Sequence, residues 1–370
     1  MRNSADVSDR LSQSRSSRVV IDGSYGEGGG QILRTSLTLA ALTGQPTRVE
    51  KIRARRGRPG LRPQHLTAVR AAADICRAEL EGDALGSQAI TFDPGTTAQP
   101  GEYAFDVADA AEGGSAGSVG LVLQTALLPL ALVDGESWLT LHGGTHVGWA
   151  PSASYLEYIF LPTVARMGIC AEIELDQWGF YPVGEGTVHL TVSGRGGALK
   201  PLALTKRGDL ARVWGIAAVT NLPSHIPQRM ANRARNVLAE AGLEARVGPR
   251  RLRGAGPGAG IFLFAEYEHV VAGFTSYGRK GLPAEHVAEA ACEDLLDHHR
   301  TGAPVDPHLA DQLVLPMAVA GGESRLVTSE ITQHLLTNTW VVQQFLDSSL
   351  TVEGQQGEPG ALVVRGEALS

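Results

Sequence analysis

Three groups of side chains in this 370-residue sequence have the types that phosphate chemistry needs. The first is a glycine-rich turn, Gly26-Glu27-Gly28-Gly29-Gly30, set ahead of a helical pattern. Glycines let a backbone come close to a ligand, and the free N–H groups at a helix start suit phosphate. The turn is not a dinucleotide fingerprint, because Gln31 stands where a glycine is needed, and no Gly-Lys-Ser/Thr follows to make a P-loop. From the glycines alone, a tight turn without a ligand reads equally well. Glu27 is the odd member: a carboxylate there could hold a phosphate-bound divalent metal or cap the helix.

The second group is the run Lys51–Arg62 (KIRARRGRPGLR), with Lys51, Arg53, Arg55, Arg56, Arg58 and Arg62 and no acid. The chain as a whole is acidic, with a formal net charge of −7, so this is a local patch and not the mark of a generally basic protein. Guanidinium forks match phosphate oxygens in pairs. The turn at Gly57–Gly60 puts the run on a loop, where a plain solvated face is the alternative. The third group is His334, in Ile331–Asn338 (ITQHLLTN), expected in the loop before a helix. Imidazole is a competent nucleophile toward phosphorus, and the phosphoramidate breaks readily once its nitrogen is protonated. A structural histidine is the plain alternative. The remaining histidines are duller: His298 and His299 end a helix, and His142, His189, His225, His269 and His286 lack metal-ligand spacing. No HExxH, GxSxG or Cys/His zinc set is present.

These groups are positioned by a repeat. Gly23–Gly44 (GSYGEGGGQILRTSLTLAALTG) aligns without gaps to Gly114–Gly135 (GSAGSVGLVLQTALLPLALVDG), and a fainter copy lies at Asp311–Gly322, with Pro316 on Pro129. The copies carry unlike polar residues: Glu27 and Arg34, then Gln124, then Asp311 with His334 beyond. A repeated frame with different decoration suggests a site where the copies meet. The first offset is 91 residues, Gly23 to Gly114, and the second is 187, Pro129 to Pro316, so about one further domain is inserted before the third copy. Each unit reads as a glycine-rich turn, an apolar helix (Gln31–Leu42, Leu121–Val133, Asp311–Ala320), a strand, a loop and a second helix (Gln64–Ala78, Ser152–Met167, Asn338–Leu346). The loops before the second helices carry the arginine run, His146 and His334. The insert reads as strand, helix (Gln228–Ala241), strand, strand. The resulting fold class is α+β, three repeated α/β units with a smaller inserted α/β domain. The expected division is a disordered tail at 1–18, a repeat domain at 19–195 plus 284–370, and an insert at 196–283.

Composition fits a soluble globular protein, 43% hydrophobic and 19% charged. Cys76, Cys170 and Cys292 are far apart and form no CxxC, as expected of thiols in a reducing compartment. Met1–Arg18 lacks the apolar run of a secretory signal, and no stretch approaches the ~20 apolar residues of a membrane span. A cytoplasmic location and no membrane partner are expected.

Several segments resemble the RNA 3′-terminal phosphate cyclases. They are Ile21–Leu33 (IDGSYGEGGGQIL), Arg58–Ala68 (RPGLRPQHLTA), Gly117–Thr125, Gly143–Pro151 (GGTHVGWAP), Gly179–Gly186, Leu309–Ala318 and His334–Asn338 (HLLTN). They occur in the family's order and span almost the whole chain beyond the tail. The resemblance implies three units like the C-terminal domain of translation initiation factor three, a kind of unit shared with enolpyruvyl transferases. It implies that His334 attacks ATP to form a covalent histidine–AMP, that AMP passes to an RNA 3′ end bearing a terminal phosphate, and that a 2′,3′-cyclic phosphate results. By position it casts Glu27 as an acid linked to a divalent metal (Mg²⁺ or Mn²⁺). Arg34, Arg53 and Arg56 become phosphate contacts. Gln124, Pro151, His308, Asp311 and Gln312 become nucleotide-pocket residues, with Asp311 able to orient His334 or the ribose. Two positions depart from the family: His308 replaces a tyrosine, and His146 replaces Asn or Asp. A non-catalytic cyclase-like protein of ribosome assembly, an enolpyruvyl transferase and a plain RNA-binding module are the rival readings. The presence of His334, Glu27 and the arginine run weighs against the first. The count of three units weighs against the second. A homodimer is left open.

Overall fold

The computed structural model describes residues 18–110, 115–366 and 368–369. The tail assigned to 1–18 therefore lies outside the described residues up to position 17, as does Gly114 of the second repeat copy.

The first sheet holds β1 (Val19–Asp22), β2 (Thr47–Glu50), β3 (Glu79–Glu81) and β4 (Ile90–Asp93), in the order β1-β2-β4-β3. Parallel strands cannot be joined by a tight hairpin, so β1 and β2 are linked through α1 (Gly30–Thr43). Helix α2 (Pro63–Cys76) carries the chain from β2 to β3. The second sheet repeats this plan with β5 (Glu102–Asp106), α3 (Val119–Ala131), β6 (Gly135–Gly143), a second helical segment, β7 (Cys170–Gln177) and β8 (Gly186–Gly194), in the order β5-β6-β8-β7. That segment, α4, consists of Ala153–Tyr155, a π turn at Leu156–Phe160 and Leu161–Ala165. Strands β6 and β8 alternate between buried and less buried residues, so one face of the sheet packs on helices and the other faces outward.

The third sheet opens with the short β9 (Ala203–Leu204) and is then interrupted. The chain leaves through β10 (Leu210–Thr220), α5 (His225–Glu240), β11 (Ala245–Leu252), β12 (Gly258–Tyr267), β13 (Val271–Tyr277) and α6 (Ala284–Thr301), which make a separate sheet of order β11-β10-β12-β13. It returns through α7 (Pro307–Val319), β14 (Gly322–Thr328), α8 (Gln333–Val342), β15 (Ser349–Glu353) and β16 (Gly360–Gly366). Strand β9 pairs parallel with β14, and the order β9-β14-β16-β15 matches that of the other two sheets. Helix α6 packs on α5, β12 and β13 of the interrupting sheet. The sequence reading of the insert found β10, α5, β11 and β12 but not β13, and it placed α6 outside.

The apolar helices α1, α3 and α7 carry the core: every α3 residue except Gln124 is buried. Thr38 of α1 donates to the carbonyl of Thr125 on α3 across 3.1 Å, and α8 packs against both α1 and α7. The helix starts of the third unit fall earlier than the apolar pattern suggests, and capping explains both shifts. Asp306 accepts from the N–H groups of His308 and Leu309, and Pro307 takes the first helical position, so α7 begins four residues before Asp311. Thr332 accepts from Leu335 N at 2.9 Å, so α8 begins at Gln333. His334 therefore stands in the first turn of a helix and not in the preceding loop.

Candidate active site

His334 and Glu27 are 307 positions apart in sequence, yet His334 Nδ1 lies 2.7 Å from Glu27 Oε1. The contact is a close approach and not an aligned hydrogen bond, and neither of these buried atoms has a hydrogen-bond partner among the described residues. The other carboxylate oxygen of Glu27 meets Arg56 Nη2 at 3.0 Å. Burial pushes the Glu27 carboxyl upward, but the His334 and Arg56 side chains outweigh it, and its pKa lies below the ordinary value. The turn that holds Glu27 needs glycine on both sides. Gly26 and Gly28 have left-handed backbones (φ 55° and 60°), and a Cβ on Gly26 would stand 2.5 Å from Thr337 Oγ1 on α8. The carbonyl of Gly26 accepts from Arg55 Nη1 at 2.8 Å, and Tyr25 stacks on Trp340 of α8 with ring centroids 4.0 Å apart. Gln31 donates to the carbonyl of His334 at 3.2 Å. The first and third units are thus fastened together around the histidine.

A basic wall adjoins this pair. Burial lowers the Arg34 pKa to about 10 against the pull of Glu27, so the guanidinium keeps its charge at neutral pH. Arg53 donates to the carbonyls of Arg58 (2.7 Å) and Gly60 (3.2 Å), and burial, then Arg62 and Arg56, lower its pKa. Neither forms an ion pair among the described residues. Half-buried cations without an acid partner among the described residues suit a ligand that brings its own negative charge. His65, in the first turn of α2, completes the wall. Burial, then Arg34, Arg53 and Arg62, hold it well below the ordinary histidine range, so it is neutral. Its Nδ1 accepts from Arg62 N at 3.2 Å. A Cβ on Gly30 would lie 2.1 Å from His65 Nε2, so only glycine fits there.

The opposite wall is built by α3, α4 and α7. Gln124 donates to Gln312 across 2.6 Å, and Gln312 donates to the carbonyl of His308 at 2.9 Å. Burial raises the Asp311 carboxyl to about 7, despite a hydrogen bond donated by Thr332. Asn338 donates to the Asp311 carbonyl at 2.9 Å and accepts from Thr35 at 2.7 Å. Tyr155 donates to both oxygens of buried Asp306, at 2.7 and 2.9 Å.

All ten residues singled out in the sequence, Glu27, Arg34, Arg53, Arg56, Gln124, Pro151, His308, Asp311, Gln312 and His334, line one cavity of about 1230 Å³. Two expectations change. Glu27 neither caps α1, whose N-cap is Gly29, nor belongs to a ready-made metal cage. Its oxygens face His334 and Arg56, and among the described residues no group of three His, Cys, Asp or Glu stands to hold an ion. The metal-linked role is therefore unsupported by the donor set. The partner on His334 Nδ1 is Glu27; Asp311 reaches α8 through Thr332, its N-cap. His146, expected in the loop matching that of His334, stays in a loop ahead of α4 and is fully buried. It stacks on Trp178 at 3.8 Å and bonds Thr145 (2.8 Å) and Ser154 (2.9 Å) through its two ring nitrogens. The sequence reading gave no role to His65, Trp149, Tyr155, Asp306 or Thr332. Only Thr332 and Asp306 carried a usable local signal, as capping residues three positions ahead of an apolar run.

A cavity where a carboxylate-bound histidine meets unpaired arginines defines an enzyme that handles phosphate groups. Comparison with known proteins narrows the class. The family profile "RNA 3'-terminal phosphate cyclase" matches residues 25–352. Proteins of that name are 57% identical over 327 residues in Nostoc punctiforme (88% of this chain, 94% of the relative) and 42% identical over 358 residues in Methanopyrus kandleri (95% and 99%). The chain belongs to the RNA 3′-terminal phosphate cyclase family, and it is an enzyme of that type. A solved enolpyruvyl transferase, NikO from Streptomyces tendae, aligns over 96% of this chain and 49% of its own at 11% identity, with a TM-score of 0.38, too low to bear on the fold. No described helix is long and apolar enough to cross a membrane.

Proposed function

We propose that the protein uses ATP to convert an RNA 3′-terminal phosphate into a 2′,3′-cyclic phosphate, carrying AMP on His334. The observation that carries this reading is the Glu27–His334 contact of 2.7 Å inside the arginine-lined cavity. Glu27 holds the proton on Nδ1, which leaves the lone pair on Nε2. Nε2 attacks the α-phosphorus of ATP; a P–N bond forms, the P–O bond to pyrophosphate breaks, and pyrophosphate leaves with the electron pair. The positive charge gained by the imidazole is offset by Glu27. An oxygen of the RNA 3′-phosphate then attacks the adenylyl phosphorus, and the P–N bond breaks to regenerate the imidazole. Finally the 2′-oxygen loses its proton and attacks the terminal phosphorus, and AMP departs. The vicinal hydroxyl is already in place, so this last closure gains from proximity. Arg34, Arg53 and Arg56 would face the charge that builds on the phosphate oxygens. A divalent ion would arrive on the phosphates of ATP as part of that substrate.

The test is incubation with ATP labelled at the α-phosphate. A protein-bound label should survive SDS and base but not acid, should be discharged by RNA ending in a 3′-phosphate, and should be absent from His334→Ala. Label retained by that variant would move the nucleophile elsewhere.

The three sheets of like order are read as copies of one ancestral unit of the initiation-factor-three kind. The pairing of β9 with β14 and the packing of α6 support drawing the insert at 205–301 in place of 196–283.

A further inference from the structure

Trp149 is the most exposed large apolar side chain described, at 102% relative accessibility, and its backbone is left-handed (φ 61°). A bulky residue in that region is a true outlier, and a free indole surface in water is a second cost. The loop around it is not loose. His146 N donates to the Gly179 carbonyl at 3.0 Å on one side, Ala153 N donates to the Thr145 carbonyl at 2.9 Å, and Ser152 caps α4 through Tyr155 N at 3.0 Å. A loop anchored at both ends thus holds a strained tryptophan out from the protein, with its ring uncovered among the described residues. The same residue lines the cavity, two positions from Pro151. Such strain calls for a ligand that repays it.

We propose that Trp149 is a stacking platform for a nucleobase of the RNA strand, close to its 3′-phosphate. This rests on the reading of the site given above. Every nucleobase offers a π-face, so an exposed indole would grip the strand with little regard to sequence. Arg34, Arg53 and Arg56 on the same cavity give the phosphates their counter-charge. The cavity, at about 1230 Å³, exceeds the roughly 300–1,000 Å³ that holds a single small ligand, which leaves room for a strand beside ATP. The full exposure of Trp149 suits a partner that extends out of the cavity along the surface, as a polymer strand does and a nucleotide held inside it does not.

The experiment measures binding of short RNAs ending in a 3′-phosphate to the wild type, Trp149→Phe and Trp149→Ala. Each of the last few nucleotides is replaced in turn by an abasic one. In the wild type one abasic position should weaken binding about tenfold. Trp149→Ala should weaken binding of the intact strand by a similar factor and become indifferent to that position, while Trp149→Phe stays near the wild type. The KM for ATP in adduct formation without RNA should not move. Wild-type affinity in Trp149→Ala would overturn the proposal. So would a raised KM for ATP, which would assign the ring to the adenine instead. A wild type that forms no adduct but still binds RNA through Trp149 would sink the adenylyl reading and leave this one standing.

Discussion

His334, in the first turn of α8, and His146, in the loop ahead of α4, belong to two units with the same strand order, and their surroundings are opposite. His334 has a side chain 45% exposed, a carboxylate on Nδ1 and a cavity in front of it. His146 is sealed between Trp178 and Phe262, at 3.8 and 4.9 Å, with a hydroxyl on each nitrogen. Burial lowers its pKa to about 3, so it is neutral and inert. Two units of one strand order thus leave one histidine facing a cavity and bury the other, according to what the rest of the fold brings to each. In the second unit the inserted sheet supplies Phe262 and closes the space. In the third, the glycine-rich turn supplies Glu27 and leaves it open.

The largest effect should separate the two histidines outright. His334→Ala should form no adduct above background, whereas His146→Asn should form it at the wild-type rate per folded molecule. Single-turnover labelling on protein checked for folding by circular dichroism makes the comparison. Equal losses in both would mean that the environments differ less than the geometry says.

The next effect tests what makes His334 special. Glu27→Gln keeps an acceptor for Nδ1 but removes the charge, and should slow adduct formation by ~10²–10⁴-fold, the scale of a catalytic proton partner. Titration with Mg²⁺ then separates two roles. Rescue by excess metal would restore the metal-linked role expected from the sequence; a low rate at every Mg²⁺ concentration supports the histidine-partner role.

Much of this was legible in the sequence, for identifiable reasons. Helices α1, α2 and α3 are long runs with strong apolar patterning, and the offsets between repeat copies required an insert. Of the ten cavity residues, Glu27, Arg53, Arg56 and His334 stood out by their chemistry, Arg34, Gln124 and Asp311 by the repeat, and Pro151, His308 and Gln312 only by the family resemblance. What no local pattern encodes is the contact itself: Glu27 meets His334 only because Gly26 lets the turn approach Thr337 on α8. His65 was passed over because its place depends on the missing side chain of Gly30, 35 residues away. Trp149 reads as an ordinary loop residue until its backbone angle is seen. Strand β13 was missed because its place is set by pairing with β12, and the packing of α6 on α5, β12 and β13 by tertiary contact, neither of which their own composition encodes.

A smaller effect concerns stability. His146→Ala should cost about 2–4 kcal/mol in urea unfolding, from the cavity it leaves and the hydrogen bonds lost by Thr145 and Ser154. Its titration adds a pH signature. Below the ordinary histidine value of 6.5 the unfolded imidazole takes a proton, while the folded one stays neutral down to about 3. The unfolded state therefore binds more protons, and stability falls as pH falls through that window, by about 1.4 kcal/mol per unit. Asp311 acts in the opposite sense: raised from 3.8 to about 7, it is protonated in the folded state first, and so adds stability as pH falls between those values. The informative quantity is thus the difference in slope between the wild type and His146→Asn, which should lack the histidine contribution. Parallel slopes would mean that the buried ring is already charged.

The smallest effect probes how the open environment of His334 is kept. The Tyr25–Trp340 stack, with planes 12° apart, joins the glycine-rich turn to α8 six residues beyond His334. A stacked pair contributes about 0.5–1.5 kcal/mol beyond the area it buries. Tyr25 is 42% exposed and does not line the cavity, so its loss should act only through the placement of Glu27. Tyr25→Ala should lower the rate constant of adduct formation a few-fold and leave the KM for ATP where it was, and Tyr25→Phe should restore the rate. A matching shift in KM would instead make Tyr25 a ligand contact. An unchanged rate would show that Arg55 on the Gly26 carbonyl and Gln31 on the His334 carbonyl hold the turn without the stack. The third unit would then keep its reactive histidine through polar fastenings alone, and the second unit would bury its own through aromatic packing.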